Sequence, residues 1–340
     1  MDQIKIYIRS KGGLAHGWGH VIRSYTMAQY LNNGAKKYEI LMGVEGDIAV
    51  ERFLSEKKVS FSITSIDAIA EKEQDSLNEF LPDIIIVDML EPSDKLLSRY
   101  KKYCNKLVLF NDLGRDYSIG DVIISPQLLQ AYPKKINEQR HLNGPDYFIL
   151  SDNIINLKKR AGINQAYQDV STLLVVMGGC INKRVFERVI KVIHKVIEIN
   201  IKVNFIIGYD SDIDLYSYDY LKERGVTFVE GTENIGEFMA EADLALASSG
   251  YVKYELAALG TPALLVSVVD HQDMLGSVFA QKSGAAEYIG NILNIELKEL
   301  VDAVKRLIFN ESKRREMSEA GLRLMDGDAL RRIESEIAPI

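Results

Sequence analysis

Gly17-Trp18-Gly19-His20-Val21-Ile22-Arg23 sets an imidazole and a guanidinium three residues apart behind two glycines. The glycines let a phosphate or a sugar come close to the backbone. His20 opens a segment of helical period that runs to Leu31, with Val21, Tyr25, Ala28 and Leu31 on one face. The positive end of a helix disfavours imidazolium, so His20 is expected to be neutral, as a general base requires. A histidine here can also simply cap or pack the helix. Arg23 could bind a phosphate, contact the surroundings of His20, or form a surface ion pair. His16 is close enough to compete for the base role, and the helix-start position favours His20. The segment is not the dinucleotide fingerprint, because Arg23 stands at the third glycine position.

A second stretch is Ser249-Gly250-Tyr251-Val252-Lys253-Tyr254-Glu255-Leu256-Ala257-Ala258-Leu259-Gly260-Thr261-Pro262. It follows an apolar strand-like run, 243–247, and reads as a helix stopped by Gly260 and Pro262. A helix start has unpaired N–H groups and a positive dipole end, so Ser249, Gly250 and Tyr251 form a candidate phosphate site. Glu255 lies one turn in, where a carboxylate accepts hydrogen bonds from a ribose diol. The plain alternative is a βα junction with a packing glycine and a solvated Glu.

Gly178-Gly179 ends another apolar run and offers further N–H groups to a diphosphate, or is a plain turn. His271 and Gln272 begin a helix where they could reach a sugar or a phosphate; alternatively Asp270 caps a polar first turn. Asp88 and Asn111 each follow an apolar run and are candidate substrate contacts, and Asp112 adjoins Asn111. Cys180 reads as a small buried residue rather than a nucleophile. With no Asp-x-Asp signature, neither a catalytic metal nor a cofactor is expected.

The elements that must position these residues alternate. Strands are expected at 4–8, 38–44, 59–63, 84–87, 107–110 and 121–124. Helices are expected near 20–31, 47–56, 66–80 and 93–103, the last capped by Ser93. The run Ile84-Ile85-Ile86-Val87 reads as a central parallel strand covered on both faces. From 126 to about 164 the pattern breaks into loops and a linker that includes Lys158-Lys159-Arg160. Alternation then resumes, with strands at 172–177, 202–207, 226–229, 243–247 and 263–266. Helices fall at 184–199, 216–224, 235–240, 252–259 and 271–283, and the tail 295–336 is mostly helical. This is an α/β chain of two Rossmann-like domains with parallel sheets, 1–160 and 165–325, plus a terminal helix, 326–340, that packs back on the first. Ligands bind such sheets at the carboxyl ends of the strands, so the glycine loops are expected to face one another across a cleft.

The chain has 340 residues, a net charge of -7 and two cysteines far apart. That excludes a broad nucleic-acid surface, a disulfide framework and a zinc finger. No apolar run is long enough to span a bilayer and no secretory pattern opens the chain, so a cytoplasmic enzyme or binding protein without stable membrane insertion is expected.

Together these motifs resemble the UDP-sugar hydrolase of pseudaminic acid biosynthesis and its relatives. Among those are a spore-coat polysaccharide glycosyltransferase and the glycosyltransferase that completes lipid II, all of the glycosyltransferase B architecture. The likeness rests on Gly-x-Gly-His-x-x-Arg at 17–23, Gly178-Gly179, Ser249-x-Gly to Pro262, and the helix of Gln272. It implies a UDP-linked deoxy-amino sugar as substrate, with diphosphate on the Gly250 helix start and ribose on Glu255. The sugar lies on the first domain, where Gly17, Gly19, Arg23, Asp88 and Asn111 are substrate contacts. His20 would activate water at the anomeric carbon; transfer to an acceptor hydroxyl is the alternative. The sequence departs from the pattern at Lys11, Cys180-Ile181, Ser151 and Asn111.

Overall fold

The computed structural model describes residues 3–13, 16–34, 38–57, 59–63, 69–160, 169–179, 181–208, 213–232 and 234–338. The chain divides into two compact units. One is Met1–Ser151 with Gly327–Ile340, and the other is Asp152–Asp326.

The first unit holds β1 (Ile4–Lys11), β2 (Tyr38–Glu45), β3 (Phe61–Ile63), β4 (Ile84–Asp88), β5 (Lys106–Phe110), β6 (Val122–Ser125) and β7 (Arg140–Asn143). They form one sheet in the order β3-β2-β1-β4-β5-β6-β7, with every pair parallel. The connecting helices are α1 (Gly19–Asn33), α2 (Ile48–Glu56), α3 (Ile69–Phe80) and α4 (Asp94–Tyr100). Alternation along β1 shows why both faces are covered. Ile6 and Ile8 pack with Val21 and Met27 of α1, while Tyr7 packs on the opposite face with Leu97 and Tyr100 of α4. All five residues of β4 are buried, as its unbroken apolar run requires. Caps set the helix starts: Asp47 accepts from the Ala49 and Val50 N–H groups, and Ser93 accepts from Leu96.

The second unit repeats the plan. β8 (Thr172–Val176), β9 (Lys202–Ile207), β10 (Val226–Glu230), β11 (Leu244–Ser248), β12 (Ala263–Ser267) and β13 (Ala286–Asn291) pair in the order β10-β9-β8-β11-β12-β13. These pairs are parallel too. Its helices are α5 (Asp152–Arg160), α6 (Lys183–Val196), α7 (Ile235–Glu241), α8 (Val252–Leu259), α9 (His271–Ser283), α10 (Leu297–Phe309) and α11 (Glu311–Leu324). Segment 215–224 winds as a 3-10 helix.

Three elements depart from the sequence expectation. The stretch read as loops and linker contains β7 and α5. β7 is a short edge strand, with Arg140 and Asn143 exposed, so it lacks an apolar run. Lys158-Lys159-Arg160 is the last turn of α5, where cations offset the negative helix end. β13, Ala-Glu-Tyr-Ile-Gly-Asn, is mostly half-buried and likewise gives no apolar signal. The expectations at 66–68 and at Cys180 fall outside the described residues.

α12 (Ala329–Ile337) belongs to the first unit, where Ala329, Leu330, Ile333 and Ile337 join the core under α1 and β2. Glu334 accepts from the Tyr30 and Tyr38 hydroxyls at 3.2 and 3.0 Å, and Arg140 grips Glu336 with two nitrogens.

Both sheets reverse strand order at one place, between β1 and β4 in the first unit and between β8 and β11 in the second. The loops leaving such a pair turn to opposite faces and open a crevice at the carboxyl ends. At those ends stand His20, in the first turn of α1, and Asp88, the last residue of β4, in one unit, and Gly178-Gly179 and Ser249-Gly250 in the other.

Ile333 is 1% exposed, so Ile333→Ala leaves a cavity under α1. The expected loss is about 2–5 kcal/mol of first-unit stability, read from denaturant unfolding followed by near-UV circular dichroism.

Candidate active site

In the first unit the site is built on α1, β4 and the loop after β5. Gly17 takes a positive φ of 78°, which turns the chain into α1. α1 has no side-chain cap at Trp18, so its first N–H groups are left unsatisfied by side chains. His20 in that first turn places Nδ1 2.7 Å from Asp88 Oδ1. A carboxylate accepts, so Nδ1 carries the proton and Nε2 is the nitrogen that exchanges one. Only the helix dipole was expected beside His20; the structure adds a carboxylate at hydrogen-bonding distance.

Arg23, one turn on, is not a surface ion pair. It is 4% exposed, and its Nε donates to Asp88 Oδ2 at 2.9 Å while Nη2 donates to Asp88 Oδ1. Nη1 and Nη2 donate to the two oxygens of Asp112 at 3.0 and 2.8 Å. The guanidinium lies 4.2 Å from the Phe110 ring centroid, and Ser24 adds a hydroxyl donor to Asp88 at 3.1 Å. Burial alone would raise the Asp88 carboxyl; the Arg23 charge and hydrogen bonds, then His20, hold it below the ordinary value.

Two of the expected substrate contacts bond within the unit itself. Asp88 is fully buried and serves His20 and Arg23. Asn111 is 1% exposed and is consumed by its own loop, its amide donating to the Arg115 carbonyl and accepting from the Arg115 N–H. Its neighbour Asp112 is the residue that reaches the cluster.

His20, Asp88 and Asp112 lie near enough to offer three ligand atoms to a cation. The Arg23 guanidinium already sits among them and donates to both carboxylates. With a neutral imidazole the cluster carries two negative charges against one positive.

In the second unit the site is built on the β11–α8 turn. Ser249 is fully buried, and its N–H donates to the Val266 carbonyl at 2.8 Å. Its hydroxyl reaches the Val266 and Gln272 carbonyls at 3.1 and 3.0 Å. Ser249 therefore ties β11 to β12 and to α9. α8 has no side-chain cap. Gln272 accepts from the Val268 N–H through its side-chain oxygen, and its amide nitrogen lies 3.5 Å from where a Gly250 Cβ would stand. His271 is exposed at the head of α9, and Asp270 does not cap that helix.

Glu255 is half-buried. It makes no hydrogen bond or ion pair with a described residue, and burial pushes its carboxyl up to about 7. Gly178, with φ 91°, is exposed at the end of β8. The Gly179 carbonyl fills the space a side chain at Gly208 would need, so Gly208 at the end of β9 must be glycine for this turn to close.

The order of strands and both turns define a class: two Rossmann-like halves, the fold of the glycosyltransferase B group. Residues 173–332 match the family model described as glycosyltransferase family 28 C-terminal domain. The chain is 24% identical over 341 residues to spore coat polysaccharide biosynthesis protein SpsG of Bacillus subtilis, covering 96% of this chain and 95% of that protein. It is 23% identical over 279 residues to an uncharacterised protein of Methanocaldococcus jannaschii, covering 77% of this chain and 55% of that one, so the match spans about half of that relative's length.

Among solved structures, MurG of Acinetobacter baumannii superposes with a TM-score of 0.71 at 12% identity, covering 99% of each chain. UGT2 of Phytolacca americana, complexed with UDP-2fluoro-glucose and pterostilbene, does so at 0.68 and 12% identity, covering 99% of this chain and 97% of that one. No helix among the described residues is long and apolar enough to cross a membrane.

Glu255 gives a pH-dependent outcome. Its folded value of about 7 stands above the ordinary 4.5, so the unfolded state binds fewer protons between them. Stability is lost as pH rises through that window and the loss is complete above about 7. Glu255→Gln removes it. The variant is expected to melt higher than wild type at pH 8, by up to about 3 kcal/mol, with the gap narrowing toward pH 5. Thermal melts across that range check it.

Proposed function

We propose that this protein is an enzyme that takes a sugar from a UDP-sugar and transfers it, with inversion, to an acceptor hydroxyl in polysaccharide biosynthesis. The observation that carries this reading is Glu255. It is an unengaged, half-buried carboxyl one turn inside a helix whose start is uncapped, within the stretch that matches the family 28 C-terminal domain. A ribose diol supplies two donors to that carboxylate, and a diphosphate accepts from the N–H groups of Gly250 and Tyr251. Gly178, Gly179, Gln272 and His271 are the further nucleotide contacts.

The acid–base step belongs to His20 in the first unit. Asp88 fixes its tautomer, and Arg23 and Asp112 fix Asp88. Nε2 takes the proton of the acceptor hydroxyl as that oxygen bonds to the anomeric carbon and the bond to UDP breaks. The positive end of α8 stabilises the charge developing on the diphosphate. Gly17 and Gly19 leave room for the sugar beside α1.

The family 28 match and the SpsG relative favour transfer over hydrolysis as the main reading. Hydrolysis is the second reading, because a His–Asp pair activates water as readily as an alcohol. The segment Gly17 to Arg23 also carries the likeness to the pseudaminic-pathway hydrolase. The two readings differ only in what meets the anomeric carbon.

UDP release from a panel of UDP-sugars, with and without polysaccharide-precursor acceptors, tests both. Acceptor-dependent release supports transfer, and undiminished release in water alone supports hydrolysis. His20→Ala is expected to lower kcat about 10²–10⁴-fold with little change in UDP affinity. Full activity in that variant would remove His20 from the mechanism.

A further inference from the structure

Lys253 is a lysine on an otherwise apolar helix face, and it is 2% exposed. Its Nζ donates to the carbonyls of Ser249 and Gly250, both at 3.0 Å. The ammonium lies 4.8 Å from the Tyr254 ring centroid and 5.8 Å from that of Phe279. Burying an ammonium is costly unless it is hydrogen-bonded, so these two bonds hold the side chain under the turn.

A trans peptide is planar, and its C=O and N–H point in opposite directions. All peptides described here are trans. When the Ser249 carbonyl turns in toward Lys253, the Gly250 N–H turns away from it. When the Gly250 carbonyl does the same, so does the Tyr251 N–H. The Gly250 N–H donates to no described residue, consistent with an amide held outward. On the strand side, the Ser249 N–H and hydroxyl bonds to Val266 and Gln272 pin the same turn.

We propose that Lys253 is a positioning residue for diphosphate recognition. From beneath the turn it aims the Gly250 and Tyr251 N–H groups at the anion and backs them with a desolvated positive charge. The inference rests on the nucleotide-binding reading of this turn. Lys253 does not touch the ligand. It fixes the donors before the ligand arrives, so their reorganisation is not charged against binding. Charge behind the amides is felt strongly because little water intervenes. The role predicts selectivity: Lys253 matters to the diphosphate and not to the nucleoside.

The test compares UDP with uridine, titrated by calorimetry or ligand-observed NMR into wild type, Lys253→Met and Lys253→Gln. Met keeps the length of the stem but loses donors and charge; Gln keeps a donor without the charge. The expected result is a loss of about 10–100-fold in UDP affinity for Lys253→Met, uridine affinity within about threefold of wild type, and an intermediate value for Lys253→Gln. An unchanged ratio of UDP to uridine affinity in a folded variant overturns the proposal. Parallel loss of both ligands, or failure of both variants to fold as judged by near-UV circular dichroism, also overturns it, because Lys253 would then be structural. If wild type itself binds UDP no better than uridine, the nucleotide-sugar reading fails instead.

Discussion

Each sheet reverses its strand order once, and that reversal is the constraint on which the rest depends. Parallel strands need crossover helices, and helices leaving neighbouring strands to opposite faces cannot close the gap between their starts. In one unit the gap lies beside β1 and β4, and in the other beside β8 and β11. A gap of this kind collects helix N-termini, glycines and strand-end side chains without any being designed for a ligand. What makes it a site is which side chains the sequence puts there.

The two gaps are furnished differently. The first holds a dense ionic cluster in which Arg23 bridges Asp88 and Asp112 and Asp88 holds His20. A buried ion network of this kind is weak evidence for stability, since desolvation opposes the attraction. It does fix geometry, and the base role proposed for His20 needs a fixed tautomer. The second gap holds backbone donors and one unengaged acid. Burial makes the ionised form of Glu255 unfavourable, a cost that the proposed ribose contact would explain.

Much of this was legible from sequence because the signal was local. Apolar runs bounded by glycine marked the central strands, and Asp47 and Ser93 marked helix starts. β7, α5 and β13 were not, since an edge strand and a half-covered one have no continuous apolar run. Site residues divided along the same line. His20, Gly250 and Glu255 stand out by position within a motif. The partners of Arg23 lie 65 and 89 residues away, a pairing that no spacing rule reveals. Asn111 and Asp112 are adjacent and equally polar, and only the turn to Arg115 decides which one faces the cluster. Ser249 carries a motif residue's type but is turned inward. Lys253 left a trace, a single cation among Val252, Tyr254, Leu256 and Leu259, that signals a buried partner.

A crystal structure of the protein with UDP tests the central claim most directly. It is expected to show diphosphate oxygens within hydrogen-bonding distance of the Gly250 and Tyr251 N–H groups, and both ribose hydroxyls on the Glu255 carboxylate. A nucleotide bound elsewhere, with the β11–α8 turn empty and Glu255 untouched, would contradict it.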